Sequence, residues 1–180
     1  MTEGAASAQA TIRELDESSY AAAIPGLAAL LVDVVEGGAP VNFLAGVTME
    51  EAAAWWTERV PLVGAGVISP FVALIGQTVV GSVLLIRAGN PNSPHRAEIG
   101  KVLVLRSARR RGIAAAMMGA AEERARADGR WLLMLDTVTG SDADAMYRAL
   151  GWTEAGMIPN FALLTDGTPA PTTYFWKDLR

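Results

Sequence analysis

The chain has 180 residues, 51% of them hydrophobic, with a formal charge of −4, values that fit one soluble globular domain with a sizeable core. It has no cysteine and a single histidine, His95, which excludes disulfides, thiolate zinc sites, cysteine nucleophiles and any site built from several imidazoles. Carboxylates, hydroxyls, backbone groups or a bound cofactor must carry the chemistry. No apolar stretch approaches the roughly 20 residues that span a bilayer, and the start MTEGAASAQA lacks the basic-then-apolar order of a signal peptide. A cytoplasmic chain with no membrane partner is expected.

Residues 1 to 10 read as a loose tail ahead of a single domain over 11 to 180. TIREL (Thr11 to Leu15) alternates as an edge strand would. Ser18 or Ser19 can cap a helix reaching Val35, with Pro25 near its first turn or at a kink, and Gly37 and Gly38 stopping it. A second helix starts at Thr48, with Glu50 and Glu51 in its first turn and Trp55 and Trp56 in its body. The two tryptophans straddle two faces, so one belongs to the core and the other can line a cleft. FVALI (Phe71 to Ile75) and VVGSVLLI (Val79 to Ile86) flank Gly76 and Gln77 as a hairpin, and AEIGKVLVL (Ala97 to Leu105) is a third strand. His95 reads as a surface residue between proline-marked loop and strand.

Between that third strand and an alanine-rich helix lies RSARRRGIAAA, a basic turn with a glycine where the helix should begin. A strand feeding directly into a helix presents unpaired backbone N–H groups and the positive end of the helix dipole, which suits phosphate or pyrophosphate. Arg109, Arg110 and Arg111 add charge there. Positive charge gathers at this one turn instead of spreading over a face, so a small anionic ligand is expected and nucleic acid is not. Ile113, Ala116, Met117, Ala120 and Ala121 repeat at helical spacing, and Glu122, Glu123, Arg124 and Arg126 are expected largely on the solvent side. Gly129 closes the helix. WLLMLD (Trp131 to Asp136) is a buried strand completing a parallel crossover. Ser141 or Asp142 caps a short helix to Leu150, and WTEAGMI and TTYFWKDL finish a mixed α/β sheet with helices on both faces. The apolar late strands make a homodimer an expectation.

RRRGIA (Arg109 to Ala114) matches the Q/R-x-x-G-x-G/A signature of the GNAT superfamily of N-acetyltransferases. VLVLRSAR before it resembles the family's V-x-P-x-x-R approach, and AMYRALGW (Ala145 to Trp152) its A-x-x-x-Y-x-x-x-G-F/W segment. The double glycine at 37 and 38, AAAWW, RAEIGKVLV, LLMLDT and TTYFWK together resemble the tabtoxin-resistance acetyltransferases over roughly Leu27 to Asp178. The resemblance implies a mostly antiparallel sheet of about seven strands with about four helices and a splayed parallel pair at the acetyl-CoA site.

It also implies the reaction: acetyl transfer from acetyl-CoA, as cosubstrate and without a metal, to a primary amine of a small molecule, by direct attack in a ternary complex. Backbone N–H groups of Arg111, Gly112, Ile113 and Ala114 would hold the pyrophosphate, Arg109 and Arg110 would support the turn, and a side chain at Gly112 would obstruct the phosphate. Backbone groups of Val102, Leu103 and Val104 would face the pantetheine, and one could polarise the acetyl carbonyl. Tyr147 matches the family tyrosine that protonates the leaving sulfur. Asp136, at the end of WLLMLD, would orient the amine or accept its proton, with Glu98 the rival through a water.

Three positions depart from the family pattern: Arg106 replaces the usual proline, Ala114 the second glycine, and Gly140 the asparagine seven before the tyrosine, leaving its contact to Ser141 or to nothing. A Walker-type site is excluded because Ile113 and Ala114 stand where lysine and a hydroxyl residue are needed. A dinucleotide fold would need three glycines where there is one. The alternative to an enzyme is a non-catalytic acyl-CoA sensor or interaction protein on the same fold.

Overall fold

One parallel strand pair in an otherwise antiparallel sheet decides where the molecule opens. The computed structural model describes residues 9 to 180; residues 1 to 8 of the expected tail lie outside the described residues. The strands are β1 (Thr11–Glu14), β2 (Ile68–Ile75), β3 (Thr78–Arg87), β4 (Arg96–Val104), β5 (Leu132–Val138), β6 (Thr153–Leu163) and β7 (Pro169–Asp178). They form a single sheet in the order β1-β2-β3-β4-β5-β7-β6. Among the described residues only β4 and β5 run parallel, and their pairing covers three positions: Arg96 opposite Leu132, Ala97 opposite Leu133 and Glu98 opposite Met134. Beyond that point β4 continues along β3 and β5 along β7.

The helices are α1 (Glu17–Glu36), α2 (Met49–Thr57), α3 (Val60–Gly64), α4 (Ile113–Ala127) and α5 (Asp142–Ala149). The mixed α/β architecture expected from the sequence is present; the five-residue α3 was not anticipated. On one face of the sheet α1 and α2 bury Tyr20, Leu27, Leu30, Leu31 and Trp56 against Val72, Leu84 and Leu103. On the other, α4 and α5 bury Met117, Met118, Ala121 and Tyr147 against Leu133, Leu135 and Phe175. Burying each large side chain stabilises the fold by about 1.5 to 3 kcal/mol.

Several local expectations are corrected. The cap of α1 is Asp16, not Ser18 or Ser19: its carboxylate accepts from the Ser19 backbone N–H at 2.8 Å and from the Ser19 hydroxyl at 2.6 Å. A carboxylate satisfies both donors and complements the helix dipole better than a hydroxyl. Pro25 lies inside the helix, well past the first turn. By length and composition α1 could cross a membrane, contrary to the sequence reading. Its apolar side nevertheless packs on the sheet through Leu27, Leu30, Leu31, Val34 and Val35, as in a core helix. Thr48 does cap α2, through a reciprocal box with Glu51: Glu51 N–H to Thr48 Oγ1 at 3.1 Å and Thr48 N–H to Glu51 Oε2 at 2.8 Å.

On α4, Ala116 faces solvent and Met118 takes the core position. Glu122, expected outside, is buried because β7 supplies a cation. Lys177 Nζ donates to both Glu122 carboxylate oxygens at 2.8 and 2.9 Å and to the Leu150 carbonyl at 2.9 Å. Removing one partner strands the other charge, so Glu122→Ala is expected to lower stability by about 3 kcal/mol. A urea-unfolding midpoint measures this, and an unchanged midpoint would mean the pair contributes nothing net.

Candidate active site

Between β4 and α4 the chain makes a short 3₁₀ turn (Arg106–Ala108) and then the basic loop. Arg106 fastens its start to α1. Its backbone N–H donates to Asp33 Oδ2 and its Nε to Asp33 Oδ1, both at 2.9 Å, and its guanidinium reaches Glu36 at 3.5 Å. A proline here could not donate that N–H, which explains how the departure from the family pattern is accommodated. Gly37 makes room for the same side chain, since a Cβ on it would stand 2.7 Å from Arg106 Cδ.

The loop closes through two consecutive-but-one positive φ angles, Arg110 at 62° and Gly112 at 74°. Gly112 is the residue from which α4 starts, and Ala116 N–H donates to its carbonyl at 3.0 Å. The N–H groups of the first helical turn therefore have no intrahelical acceptor and point out of the helix with the positive dipole end. A Cβ on Gly112 would touch nothing within 4 Å. Within the protein alone, glycine is required here for its left-handed backbone. Arg109 braces the loop by donating Nε–H to the Val104 carbonyl at 3.3 Å. Beside it lies a depression of about 400 Å³ bounded by Gln9, Ala10, Ile12, Arg111, Gly112, Ile113 and Ala116. The open helix start, the glycine and this space fit an extended anion such as a pyrophosphate.

The depression is bordered by residues before and within β1 and by the start of α4. A bulge sets two residues, Lys101 and Val102, against the single Val83 of β3, with Lys101 at φ 49°. Leu105 N–H pairs with the Val80 carbonyl, so by strand alternation Leu103 also turns its backbone toward β3, opposite Ser82. Only Val102 and Val104 of the three expected residues direct backbone groups into the gap, and the Val104 carbonyl is shared with Arg109. Ser141 is committed to capping α5, accepting from Asp144 N–H at 3.2 Å, while Gly140 donates its N–H to Asp144 Oδ2 at 3.0 Å. The family asparagine contact has no direct substitute in these two residues.

Glu98 and Asp136 come together on the α1–α2 face, at the point where β4 and β5 part. Both residues are exposed, yet partial withdrawal of their carboxyls from water raises both above their ordinary range. The negative charge of Asp136 raises Glu98 further, and Lys101 opposes the rise in both. Tyr174 stands opposite Asp136 on β7 and has its phenol raised by burial and by the two carboxylates. Tyr147 approaches from the other face of the sheet, its ring packed at 6.1 Å from both Trp152 and Phe175. Burial, then the charge of Asp136, pushes its phenol upward, which keeps the proton on oxygen at neutral pH.

Sequence reasoning missed Lys101 and Arg59. Trp56 is the core tryptophan, fully buried. Trp55 is half-buried and carries both cations: the Arg59 guanidinium carbon 3.2 Å and Lys101 Nζ 4.5 Å from its ring centroid. Burial and the Arg59 charge bring the Lys101 ammonium down to about 8, against the opposing pull of Asp136 and Glu98. The lysine sits inside a strand whose alternation gives no sign of the bulge, and Arg59 follows the end of α2 at Thr57. His95, expected at the surface, is half-buried and stacks on Trp131 at 4.4 Å. Among the described residues no group of three or more His, Cys, Asp or Glu side chains is placed to hold a metal ion.

Residues 40–152 match the acetyltransferase (GNAT) family. The chain belongs to that family. Solved structures share the fold. An N-acetyltransferase from Staphylococcus aureus Mu50 is 20% identical at a TM-score of 0.77, over 95% of this chain and 99% of that one. A ribosomal-protein-alanine N-acetyltransferase from Brucella melitensis is 24% identical at 0.74, over 94% and 99%. A phosphinothricin acetyltransferase from Sinorhizobium meliloti, solved in complex with acetyl-CoA, is 20% identical at 0.77, over 95% and 89%.

At φ 74° a branched side chain costs about 1 to 2 kcal/mol. Gly112→Val is therefore expected to reshape the loop and weaken CoA binding by roughly tenfold or more, with a small loss of thermal stability. Calorimetric titration with CoA beside a melting curve checks this; full affinity would place the anion elsewhere.

Proposed function

We propose that the protein transfers the acetyl group of acetyl-CoA to the primary amine of a small molecule by direct attack in a ternary complex. The observation that carries this reading is the parting of β4 from β5. It opens a gap with the anion-binding start of α4 at one end and the Glu98–Asp136 pair on one bank. Acetyl-CoA would supply the activated thioester. The α4 N-terminus from Arg111 to Ala114, braced by Arg109 and with Arg110 in the loop, would hold its pyrophosphate. Val102 and Val104 would offer backbone groups to the pantetheine.

Asp136 is the proposed base. An amine must lose a proton as it attacks the acetyl carbon, and a carboxylate held above its ordinary range is a better proton acceptor than a free one. Glu98 is the second candidate, acting through a water. Tyr147 keeps its proton and can give it to the sulfur as the carbon–sulfur bond breaks. The resemblance to tabtoxin-resistance enzymes supports an amino-acid-like toxin or antibiotic as the acceptor class, and the exposed Met157, Ile158, Phe161 and Leu163 of β6 support a homodimer.

Tyr147→Phe keeps the ring packing and removes only the hydroxyl. It is expected to lower kcat by about 10² or more with little change in Tm; unchanged turnover in a free-thiol assay would sink the acid role. For wild type, kcat/KM should fall on acidification as the base is protonated, with the limb lying above the ordinary carboxylate range because burial raises both groups. Asp136→Asn should lower kcat by about 10² or more and abolish that limb, whereas Glu98→Gln should retain it; the reverse pattern assigns the base to Glu98. Acetyl-CoA binding without turnover of any amine in a panel would favour the sensor reading.

A further inference from the structure

Lys101 is held where it is by its neighbours. Its backbone adopts φ 49°, a conformation costing a non-glycine residue about 1 kcal/mol or more, and the buried Ser82 hydroxyl anchors its carbonyl at 2.9 Å. The result is a side chain directed to the α2 side, against Trp55 and next to Arg59. Arg59 is fixed from below by donating to the Trp55 carbonyl and by an outward contact with Glu58 at 3.6 Å. Two cations thus share one indole. Among the described residues Lys101 has no carboxylate within ion-pairing distance; Asp136 and Glu98 act on it only from farther off.

Repulsion between two half-buried like charges is relieved by an anion between them. The facing bank has the opposite need, because Glu98 and Asp136 crowd negative charge in a place that favours a cation. The cleft is bipolar, with two cations and two carboxylates. A simple amine would satisfy one pole and leave the other unmatched, whereas a molecule carrying an ammonium and an acidic group matches both.

We propose that Lys101 and Arg59 are specificity-determining residues that hold an acidic group, a carboxylate or its phosphorus counterpart, on the acceptor, while Asp136 and Glu98 receive its amine. This rests on the acetyl-transfer reading for its kinetic test and on binding alone for a second one. The kinetic probe is a matched pair, phenylalanine with phenethylamine and leucine with 3-methylbutylamine, each with acetyl-CoA and a free-thiol readout. Wild type should favour the amino acid in kcat/KM by roughly tenfold or more, the value of one charged hydrogen bond. In Lys101→Met that preference should collapse through the KM of the amino acid, and Lys101→Arg should restore most of it. Arg59→Met should show the same collapse, which guards against a misfolded Lys101 variant.

A structural role would depress both members of each pair equally and leave the preference intact, overturning the proposal, as would a preference for the amines in wild type. An effect confined to the KM of acetyl-CoA would assign Lys101 to the donor side and also overturn it. If no amine turns over, acetyl transfer itself fails. Calorimetric titration of N-acetylphenylalanine and N-acetylphenethylamine then decides: tighter binding of the acid, lost in Lys101→Met, supports the anion site, and equal binding refutes it.

Discussion

The parting of β4 and β5 after Glu98 and Met134 is the constraint on which the rest of the site depends. Parallel strands that stay paired leave no room between them; here the pairing ends after three positions, and each strand keeps its outer neighbour. The bulge at Lys101 and Val102 bends β4 away, so unpaired backbone on β4 faces the side chains at the end of β5. Glu98 and Asp136 lie at this opening, whereas Tyr147 is buried on the other face of the sheet. The antiparallel remainder of the sheet gives the opening rigid walls, and the two hydrophobic layers hold those walls from both sides.

The loop that begins α4 is fastened at several points. Arg106 ties it to α1 through Asp33, Gly37 clears the space for that arginine, and Arg109 ties it back to β4. The N–H groups at the helix start are thereby presented in a fixed arrangement, and binding an anion there need not order a mobile segment. Arg106 and Arg109 act as braces of the loop. The left-handed Gly112 turns the chain from loop into helix.

Charge in the cleft is arranged by burial as much as by sequence. Glu98 and Lys101 on β4, Asp136 on β5 and Tyr174 on β7 are ordinary residue types, and each is shifted because it is partly withdrawn from water near the others. The two carboxylates are raised above their usual range, and the lysine is brought down to about 8. Tyr147, on the opposite face and buried, remains a proton carrier. In the proposed acetyl transfer, the raised carboxylates would accept the amine proton and the phenol would supply one to sulfur.

The strand and helix order, the hairpin at Gly76 and Gln77, the capped start of α2 and the glycine at the head of α4 were legible because each rests on local chemistry: alternation, turn residues, caps and helical spacing. The mixed sheet followed from that order. Other features depend on partners distant in sequence. Glu122 is a surface residue by helical phase and a buried one because Lys177 arrives 55 positions later. Ser19 looks like a cap until the Asp16 carboxylate outcompetes it. Leu103 resembles its neighbours until the register with β3 turns its backbone out of the gap. Lys101 carried no signal, since a bulge arises from how two strands fit and cannot be read from alternation in one. The sequence alone thus determined the elements and the glycine turn at the head of α4, because those are set by contacts within a few residues. Only the tertiary structure decided where β4 and β5 part and which charges face each other across the gap, because both follow from packing between distant segments.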